Sequence, residues 1–190
     1  MADPSDDELE AMVIGGPTIH DDVIHLADYD PAWVRLFERE AERIRAALGS
    51  AALGVEHAGS TSVPGLAAKP IIDIVLVVAD TTDEPAYVPA MEAAGYVLRV
   101  REPDWFEHRL FKGPDTTVNV HVFSAGCVEV ERMLAFRDHL RADDADRELY
   151  ERTKRELAGR RWKYVQHYAN AKSDVVAEIM ARAEPRDGEV

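Results

Sequence analysis

The spacing of apolar and polar residues predicts a first part in which helices and strands alternate. Apolar residues recur every three or four positions after Asp30 and Pro31, which predicts a helix ending at Gly49. A short strand over residues 51–58 follows, and the string "IIDIVLVV", residues 71–78, is almost continuously apolar. Such a run is typical of a strand that is covered on both faces, so we expect it at the centre of a sheet.

The pattern continues with one helix and three strands before it becomes helical throughout. Residues 83–94 predict a helix, and turns rich in Pro, Gly and Asp separate predicted strands at 96–101, 105–112 and 117–123. Three helical segments then follow, at residues 128–141, 143–158 and 162–183. The sequence therefore predicts an α+β fold with a helical C-terminal part.

The division of the chain follows from the same pattern and from its charge. Five acidic residues without a basic neighbour lie in the first ten positions, which predicts a flexible acidic segment over residues 1–27. We expect an α/β core at 28–126, helices packed on that core at 127–183, and a frayed tail at 184–190.

Composition excludes several classes of function. The formal charge of −14 makes nucleic acid and anionic membranes unlikely partners. The chain has neither an apolar run long enough to cross a membrane nor a signal peptide at its acidic start, so we expect a cytoplasmic protein. Its one cysteine, Cys127, excludes an internal disulfide and a multi-cysteine zinc site.

Asp73 is the residue that most needs an explanation, because it lies inside the apolar string. A buried carboxylate costs several kcal/mol unless it is paired, hydrogen-bonded or bound to a metal. One interpretation is a structural ion pair with Lys69 or with an arginine of a neighbouring strand. The other is a functional site, which the preceding loop favours because Gly59 and the three hydroxyl residues after it, Ser60, Thr61 and Ser62, suit phosphate oxygens.

The central string resembles a known protein family. "EHAGSTSVPGLAAKPIIDI", residues 56–74, is similar to the GrpB family, which belongs to the nucleotidyltransferase superfamily with the polymerase-β-like fold. The similarity extends from about Tyr29 through "DPAWVRLFEREAERI", "EHRLF", "NVHVF", "LAFRDHLR" and "YANAKSD". It implies a nucleotidyltransferase-like mixed sheet flanked by helices, a nucleoside triphosphate as partner and Mg²⁺ as cofactor, with Mn²⁺ or Zn²⁺ as alternatives.

The superfamily pattern fits this chain only in part. Gly-Ser followed, after nine to thirteen residues, by an acid on the next strand corresponds to Gly59, Ser60 and Asp73, with twelve residues in between. A second acid two residues away would share the strand face, but Ile71 and Val75 flank Asp73 here, which puts a two-metal scheme in doubt.

Histidines near the central string suggest further ligands. The family usually has His-x-His where this chain has Asn119 and His121. His57, Asp73 and His121 are candidates for catalysis, either as a metal site or as a general base oriented by a carboxylate, with Asp73 and His121 as the candidate metal ligands. The alternative for each histidine is a hydrogen-bonded residue of the strand.

Basic and aromatic residues complete the candidate site. Lys69, Arg109 and Lys112 are expected to neutralise phosphate charge. Tyr168 and Lys172 share a helix face, and in nucleotidyltransferases a C-terminal helical part commonly closes over the nucleotide, so both are candidates for nucleotide binding.

The leading hypothesis is an enzyme that uses an NTP and Mg²⁺ to transfer a nucleotidyl group to an unknown small-molecule acceptor, or to adenylate a carboxylate for ligation. One alternative is a non-catalytic protein that binds a nucleotide or a small anion on the same fold. A second alternative is a metal-dependent enzyme that uses histidine and aspartate. The acceptor cannot be named from the sequence, because the fold does not define the reaction.

Overall fold

The computed structural model describes residues 5–183. Its strands are β1 (Gly54–Ala58), β2 (Ile72–Val78), β3 (Val97–Glu102), β4 (His108–Lys112) and β5 (Val118–Ser124). Its α-helices are α1 (Asp6–Met12), α2 (Ala32–Leu48), α3 (Val88–Ala93), α4 (Val128–Ala142), α5 (Asp144–Ala158), α6 (Val165–Asn170) and α7 (Ser173–Ala183). Short 3₁₀ turns lie at Gly49–Ala51, Ser60–Ser62 and Glu84–Ala86.

The five strands form one mixed sheet in the order β1-β2-β5-β4-β3. Strands β2 and β5 are parallel, and the other neighbouring pairs are antiparallel. The apolar string therefore lies inside the sheet, between β1 and β5, as its composition predicts. The predicted α+β class with a mixed sheet and a helical C-terminal part is confirmed.

The two faces of the sheet are covered by different helices. Helices α2 and α3 pack on one face, where Ile44 and Met91 contact a core built from Ile72, Ile74 and Val120. The other face carries Asp73, because side chains alternate along β2 and the residues next to it point to the core. Helix α4 covers part of that second face, so a polar strip remains beyond its edge.

The C-terminal helices pack on the loop between β1 and β2. Val63 and Leu66 of this loop are buried in a cluster with Leu140, Tyr150 and Ile179, which belong to α4, α5 and α7. The helical part thus supports the loop that precedes Asp73.

The structure differs from the predicted elements at four places. The strand expected over 51–58 begins at Gly54, after the 3₁₀ turn at Gly49–Ala51. The helix expected over 162–183 is two helices, because Trp162 forms a β-bridge with Asp22 and a turn separates α6 from α7. The strand expected from residue 105 begins at His108, after a turn in which Phe106 and Glu107 have positive φ. The helix expected over 83–94 is a 3₁₀ turn followed by the short α3.

The segment predicted to be a flexible acidic tail is ordered from Ser5 onward. Asp6 pairs with Lys163, Leu9 of α1 is buried, and Val13 forms a β-bridge with Val100 on the outer strand β3. The basic partner of Asp6 lies far along the chain, so the local charge pattern does not reveal it. The predicted frayed tail, 184–190, and the first four residues lie outside the described residues. Among those that are described, no helix is long and apolar enough to cross a membrane.

Candidate functional site

Asp73 projects from β2 into a polar group of side chains on the face that α4 leaves open. The Asn119 amide donates to Asp73 Oδ1 at 2.7 Å, and His121 Nε2 lies 3.6 Å from the same oxygen. The Asp73 side chain is 27% exposed, and its other oxygen, Oδ2, lies against the backbone of Gly59. The register explains the grouping, since Asn119 is paired directly with Asp73 between the parallel strands.

No arginine among the described residues holds the carboxylate of Asp73. Within residues 5–183, its ion-pair partner is His121, and its hydrogen-bond donor is an uncharged amide. Burial alone would raise the pKa of Asp73, but the contacts with His121 and Asn119 and the charge of Lys172 outweigh it and lower the pKa. Asp73 is therefore ionised at neutral pH and faces solvent, as a ligand-binding carboxylate must.

Gly59 brings the bend that follows β1 against Asp73. The φ of Gly59 is +64°, a region that L side chains avoid, and a Cβ built there would lie 2.5 Å from Asp73 Oδ2. Ser62 Oγ donates to the Gly59 carbonyl at 2.6 Å, and Thr61 Oγ1 donates to the Ile71 carbonyl at 3.2 Å. These two hydroxyls are used inside the bend, whereas the half-buried Ser60 lies close to the Tyr150 hydroxyl.

Helices α4 and α5 anchor this bend through charged side chains. Arg141 donates twice to the Ser62 carbonyl, at 3.1 and 2.8 Å. Glu151 accepts the Ala67 N–H at 3.1 Å, and the buried Lys154 donates to the Ala67 carbonyl. Both polar groups of one loop residue are thereby fixed by α5, and the bend is rigidly placed before a ligand arrives.

Three of the five lysines of this acidic chain interact electrostatically with Asp73: Lys69, Lys112 and Lys172. A fourth, Lys154, interacts with Lys172. Burial and the mutual repulsion of these ammonium groups lower the pKa of Lys69, and burial lowers that of Lys154 to about 7. The concentration of positive charge beside a single carboxylate is suited to an anion of several charges.

The candidate lysines from the sequence reach the site in different ways. Lys112 donates to Asn119 Oδ1, so it contacts the amide that binds Asp73. Lys69 and Lys172 interact with Asp73 through their charges. The Lys172 ammonium lies 4.7 Å from the centre of the Tyr168 ring, and Tyr168 is itself buried. Tyr168 therefore packs beneath Lys172 as a buried residue. It does not close over the bend, contrary to the expectation from the sequence.

His57 does not join Asp73 and His121. Residue 57 pairs with Ile74 and not with Asp73, so its side chain points to the face covered by α2. Its ring stacks on Phe37 at 4.7 Å, and its Nε2 lies 3.1 Å from Thr61 Oγ1. Burial lowers the pKa of His57 to about 4, so the ring is neutral at pH 7. The expected metal set of His57, Asp73 and His121 is not formed in this geometry.

Arg109 is also outside the site. Its register partner is Val122, on the face turned toward α2 and α3, and its guanidinium donates to Glu84 Oε1 at 2.7 Å. The expectation that Arg109 binds phosphate rested on its position in the hairpin, and the alternation of the strand places it on the opposite face.

Lys154 and Tyr150 were missed by the sequence reasoning. Both lie on α5, four residues apart, and the Lys154 ammonium lies 4.9 Å from the centre of the Tyr150 ring. The sequence did contain a signal for Lys154, because the helical period requires an apolar side chain at its position. A buried ammonium group without a partner is as costly as a buried carboxylate without one.

The arrangement defines a class of protein: a mixed α+β sheet with a carboxylate on its central strand, opposite a rigid glycine-serine bend surrounded by lysines. Residues 23–182 match the family model described as GrpB protein. The chain belongs to the GrpB family, and the resemblance noted in its central string is confirmed.

Two relatives support this assignment. A UPF0157 protein of Halalkalibacterium halodurans is 61% identical over 179 residues, which cover 94% of this chain and 92% of the relative. The crystal structure of the conserved protein GrpB from Enterococcus faecalis matches with a TM-score of 0.71 and 33% identity, over 84% of this chain and 96% of the other. The sheet and helices described above are therefore shared with an experimentally determined structure.

A third relative has a name that denotes an activity. The dephospho-CoA kinase of Mycolicibacterium paratuberculosis is 30% identical over 158 residues, which cover 70% of this chain and 39% of the kinase. The match thus spans less than half of the longer protein.

Proposed function

We propose that this chain binds a nucleoside triphosphate at the Gly59 bend and transfers its nucleotidyl group to a small-molecule acceptor. The observation that carries the proposal is the gathering of three of the five lysines around Asp73 in a chain of net charge −14. A surface that is otherwise acidic repels phosphates, so the site is a local exception with an anion as its natural ligand.

The triphosphate would lie between the bend and the lysines. Gly59 lies against Asp73 Oδ2, so the triphosphate would approach the bend beside this contact, and Ser60 of the same bend lies close to the Tyr150 hydroxyl. Lys69, Lys112 and Lys172 supply charge to the phosphate oxygens. Lys154, which is buried and donates to Ala67, fixes the bend and does not reach the ligand itself.

The donor atoms beside the bend fit one divalent cation. Asp73 Oδ1 and His121 Nε2 lie 3.6 Å apart, and a carboxylate oxygen with an imidazole nitrogen is a usual ligand pair for Mn²⁺ or Zn²⁺ and tolerable for Mg²⁺. When bound, the cation would neutralise charge on the reacting phosphate. The second acid of a two-metal site is missing, since Val75 is the next residue on this face and Asn119 takes the neighbouring position.

The proposed reaction forms one bond to the α-phosphorus and breaks another. An oxygen of the acceptor, a hydroxyl or a carboxylate, attacks the α-phosphorus, and the bond to the bridging oxygen of the β-phosphate breaks, so that pyrophosphate leaves with the bonding pair. A hydroxyl acceptor also loses its proton, which passes to solvent, whereas a carboxylate acceptor has none to lose. The lysines hold the leaving pyrophosphate.

The family resemblance and one relative support a nucleotide ligand without naming the reaction. The matched family lies in the nucleotidyltransferase superfamily by the resemblance of its Gly-Ser and Asp pattern. A related segment also occurs within a protein named dephospho-CoA kinase. Both observations support a phosphate-containing ligand for the bend.

Release of pyrophosphate tests the proposal. The purified chain is incubated with each NTP, Mg²⁺ or Mn²⁺, and a panel of hydroxyl and carboxylate acceptors, and pyrophosphate is measured. We expect metal-dependent release that falls at least a hundredfold in Asp73→Asn and is unchanged in Asp104→Asn, a matched change at an exposed site. Absence of release from the wild type with every NTP and acceptor contradicts transfer.

Binding of a non-hydrolysable analogue distinguishes the enzyme from a sensor. Lys172→Met is expected to weaken α,β-methylene-ATP binding about tenfold, whereas Lys163→Met, which removes the lysine that pairs with Asp6, leaves the affinity unchanged. Lysine-dependent binding without turnover supports the non-catalytic nucleotide-binding alternative. Equal affinity in wild type and Lys172→Met contradicts the assignment of the ligand to this bend.

A further inference from the structure

A row of polar side chains runs across the open face of the sheet, from Asp73 toward the edge strand β3. Asp73 on β2 is paired with Asn119 on β5, and Asn119 is paired in turn with Lys112 on β4. Direct partners on neighbouring strands have their side chains on the same face. The Lys112 ammonium donates to Asn119 Oδ1, so it lies beside the amide, on the side away from Asp73.

Arg99 lies at the end of this row, where β3 is irregular. Val97 is the direct partner of Lys112. The pairing register then shifts between Leu98 and Val100, which leaves Arg99 as the extra residue of a β-bulge. The positive charge of Arg99 is close enough to interact with that of Lys112. Bulges often direct a side chain toward a functional site, and this one brings a second cation to the row.

The two cations lack a carboxylate partner in the part of the chain that the structure describes. Within residues 5–183, Lys112 donates to a side-chain amide, and the Arg99 side chain forms neither an ion pair nor a hydrogen bond. Like charges on neighbouring strands destabilise a sheet. The chain has 36 acidic and 22 basic residues, so a shortage of carboxylates does not explain the arrangement.

A second pair of cations on the same two strands has its charge neutralised within the chain. Arg101 and Arg109 are direct partners on the other face of the sheet. Glu84 Oε1 accepts from Arg101 Nε at 2.7 Å and from Arg109 Nε at 2.7 Å. Among the described residues, no carboxylate has the place of Glu84 beside Arg99 and Lys112.

The position of Arg99 separates it from a phosphate at the bend. The Gly59 bend follows β1 and lies against Asp73 on β2. Neighbouring strands are about 4.8 Å apart, so β3 is roughly 14 Å from β2 across β5 and β4. A phosphate group bound at the bend is therefore three strands away from Arg99, and the cation pair is suited to a different anionic group.

We propose that Arg99 and Lys112 form a second anion subsite, which binds a carboxylate or phosphate group of the acceptor. The acceptor is then an acidic small molecule: its reacting oxygen lies toward Asp73, and its anionic group lies at the bulge. The inference rests on the proposed function, to which it adds the class of acceptor and a specificity-determining residue, Arg99. The planar guanidinium suits either group, because its paired N–H donors match two oxygens of a carboxylate or of a phosphate.

Binding of simple anions tests the subsite without turnover. The ¹⁵N-labelled full chain, with and without saturating α,β-methylene-ATP, is titrated with inorganic phosphate and separately with succinate. We expect at least one of the two anions to shift the amide signals of residues 97–100 and 110–112, and the anion that does so identifies the acceptor's group. Arg99→Met is expected to weaken this binding at least tenfold, because a charge-assisted contact is lost.

Arg35→Met is the matched control. Arg35 is an exposed arginine of α2, which packs on the other face of the sheet, and it has no ion-pair partner within residues 5–183. This variant is expected to bind both anions as the wild type does. The inference is overturned if neither anion affects residues 97–100, or if Arg99→Met binds them as tightly as Arg35→Met.

The melting temperature without ligand separates a binding role from a structural one. Arg99→Met removes a repulsion with Lys112, so its melting temperature is expected to equal or exceed that of the wild type. A lower melting temperature would mean that Arg99 stabilises the fold, which contradicts its assignment to a ligand.

The two proposals fail in distinguishable ways. In the pyrophosphate assay, Arg99→Met is expected to raise the KM for acidic acceptors at least tenfold and to leave the KM for the NTP unchanged. If the anions bind as expected but no NTP is turned over, the subsite stands and nucleotidyl transfer is wrong. If pyrophosphate is released but Arg99→Met has the wild-type KM for every acidic acceptor, transfer stands and the subsite is wrong.

Discussion

At the scale of single residues, Gly59 and Asp73 form one unit. The backbone of Gly59 has a conformation that other residues adopt only under strain, and the missing side chain is what allows Asp73 Oδ2 to lie so close. The bend and the carboxylate are therefore specified together. A change at one position is felt at the other.

Alanine substitutions at Gly59 and Gly65 separate the effect of backbone strain from the effect of the contact with Asp73. Gly59→Ala and Gly65→Ala both place a side chain at positive φ, and each is expected to lower the free energy of unfolding by about 1–3 kcal/mol. The added methyl at residue 65 has nothing within 4 Å, while at residue 59 it meets Asp73 Oδ2 at 2.5 Å. We expect only Gly59→Ala to weaken α,β-methylene-ATP binding, by more than tenfold in calorimetry. Equal binding losses in both variants would refute the role of this contact.

Asp73 was predictable as a candidate site residue, because an acid in an apolar strand stands out without any coordinates. The direction of His57 was not, since it depends on whether residue 57 or residue 58 pairs opposite Asp73, and the lengths of the loops do not fix that register. Arg99 carried no such signal either, since the bulge that places it beside Lys112 depends on the pairing of β3 with β4.

At the scale of elements, α4 and α5 determine the shape of the bend. Arg141 on α4 donates twice to the Ser62 carbonyl, and α5 holds Ala67 at its N–H and its carbonyl. The helical part therefore acts as a scaffold for the loop. Periodicity predicted these helices, but not that they turn back onto the loop, because packing between distant segments leaves no local pattern.

Removing the Arg141 guanidinium should increase the mobility of the bend and leave the sheet unchanged. Arg141→Met deletes two hydrogen bonds to a backbone carbonyl, and we expect a loss of stability of about 1–3 kcal/mol. Hydrogen exchange followed by mass spectrometry should show faster exchange over residues 59–66 and unchanged exchange in β5. Arg132→Met, on the same helix but half exposed and paired only with Glu129 among the described residues, is the control. Unchanged exchange over 59–66 in Arg141→Met would count against the scaffold.

At the scale of the whole molecule, the buried lysines make stability depend on pH. Lys154 has a pKa of about 7 in the folded chain and an ordinary pKa in the unfolded chain, so between these values only the unfolded chain binds the proton. Stability must therefore rise as the pH increases through this range. Lys69 and Lys172, whose pKa values are also lowered, add in the same direction.

The substitution Lys154→Met should weaken the dependence of the free energy of unfolding on pH. Between pH 7 and about 9.5, we expect the free energy of unfolding of the wild type to rise more steeply than that of the variant, by at most about 1.4 kcal/mol per pH unit. The pH range ends at about 9.5 so that tyrosines do not contribute to the slope. Burial raises the pKa of Tyr150 to about 12, so the folded chain loses stability once the tyrosines of the unfolded chain ionise. Urea unfolding at several pH values measures both slopes. Parallel slopes would mean that Lys154 titrates normally.

The N-terminal segment has a further consequence for how copies of the chain behave together. Strand β3 ends the sheet, and the Ile14 N–H donates to the Arg99 carbonyl at 2.8 Å, next to the bridge between Val13 and Val100. An uncovered strand is a template for intermolecular pairing. Ile14→Pro, which removes this N–H, is expected to form concentration-dependent oligomers in sedimentation velocity, whereas Ile14→Val stays monodisperse. The N-terminal segment would then be the element that prevents intermolecular pairing of β3 between copies of the chain at high concentration.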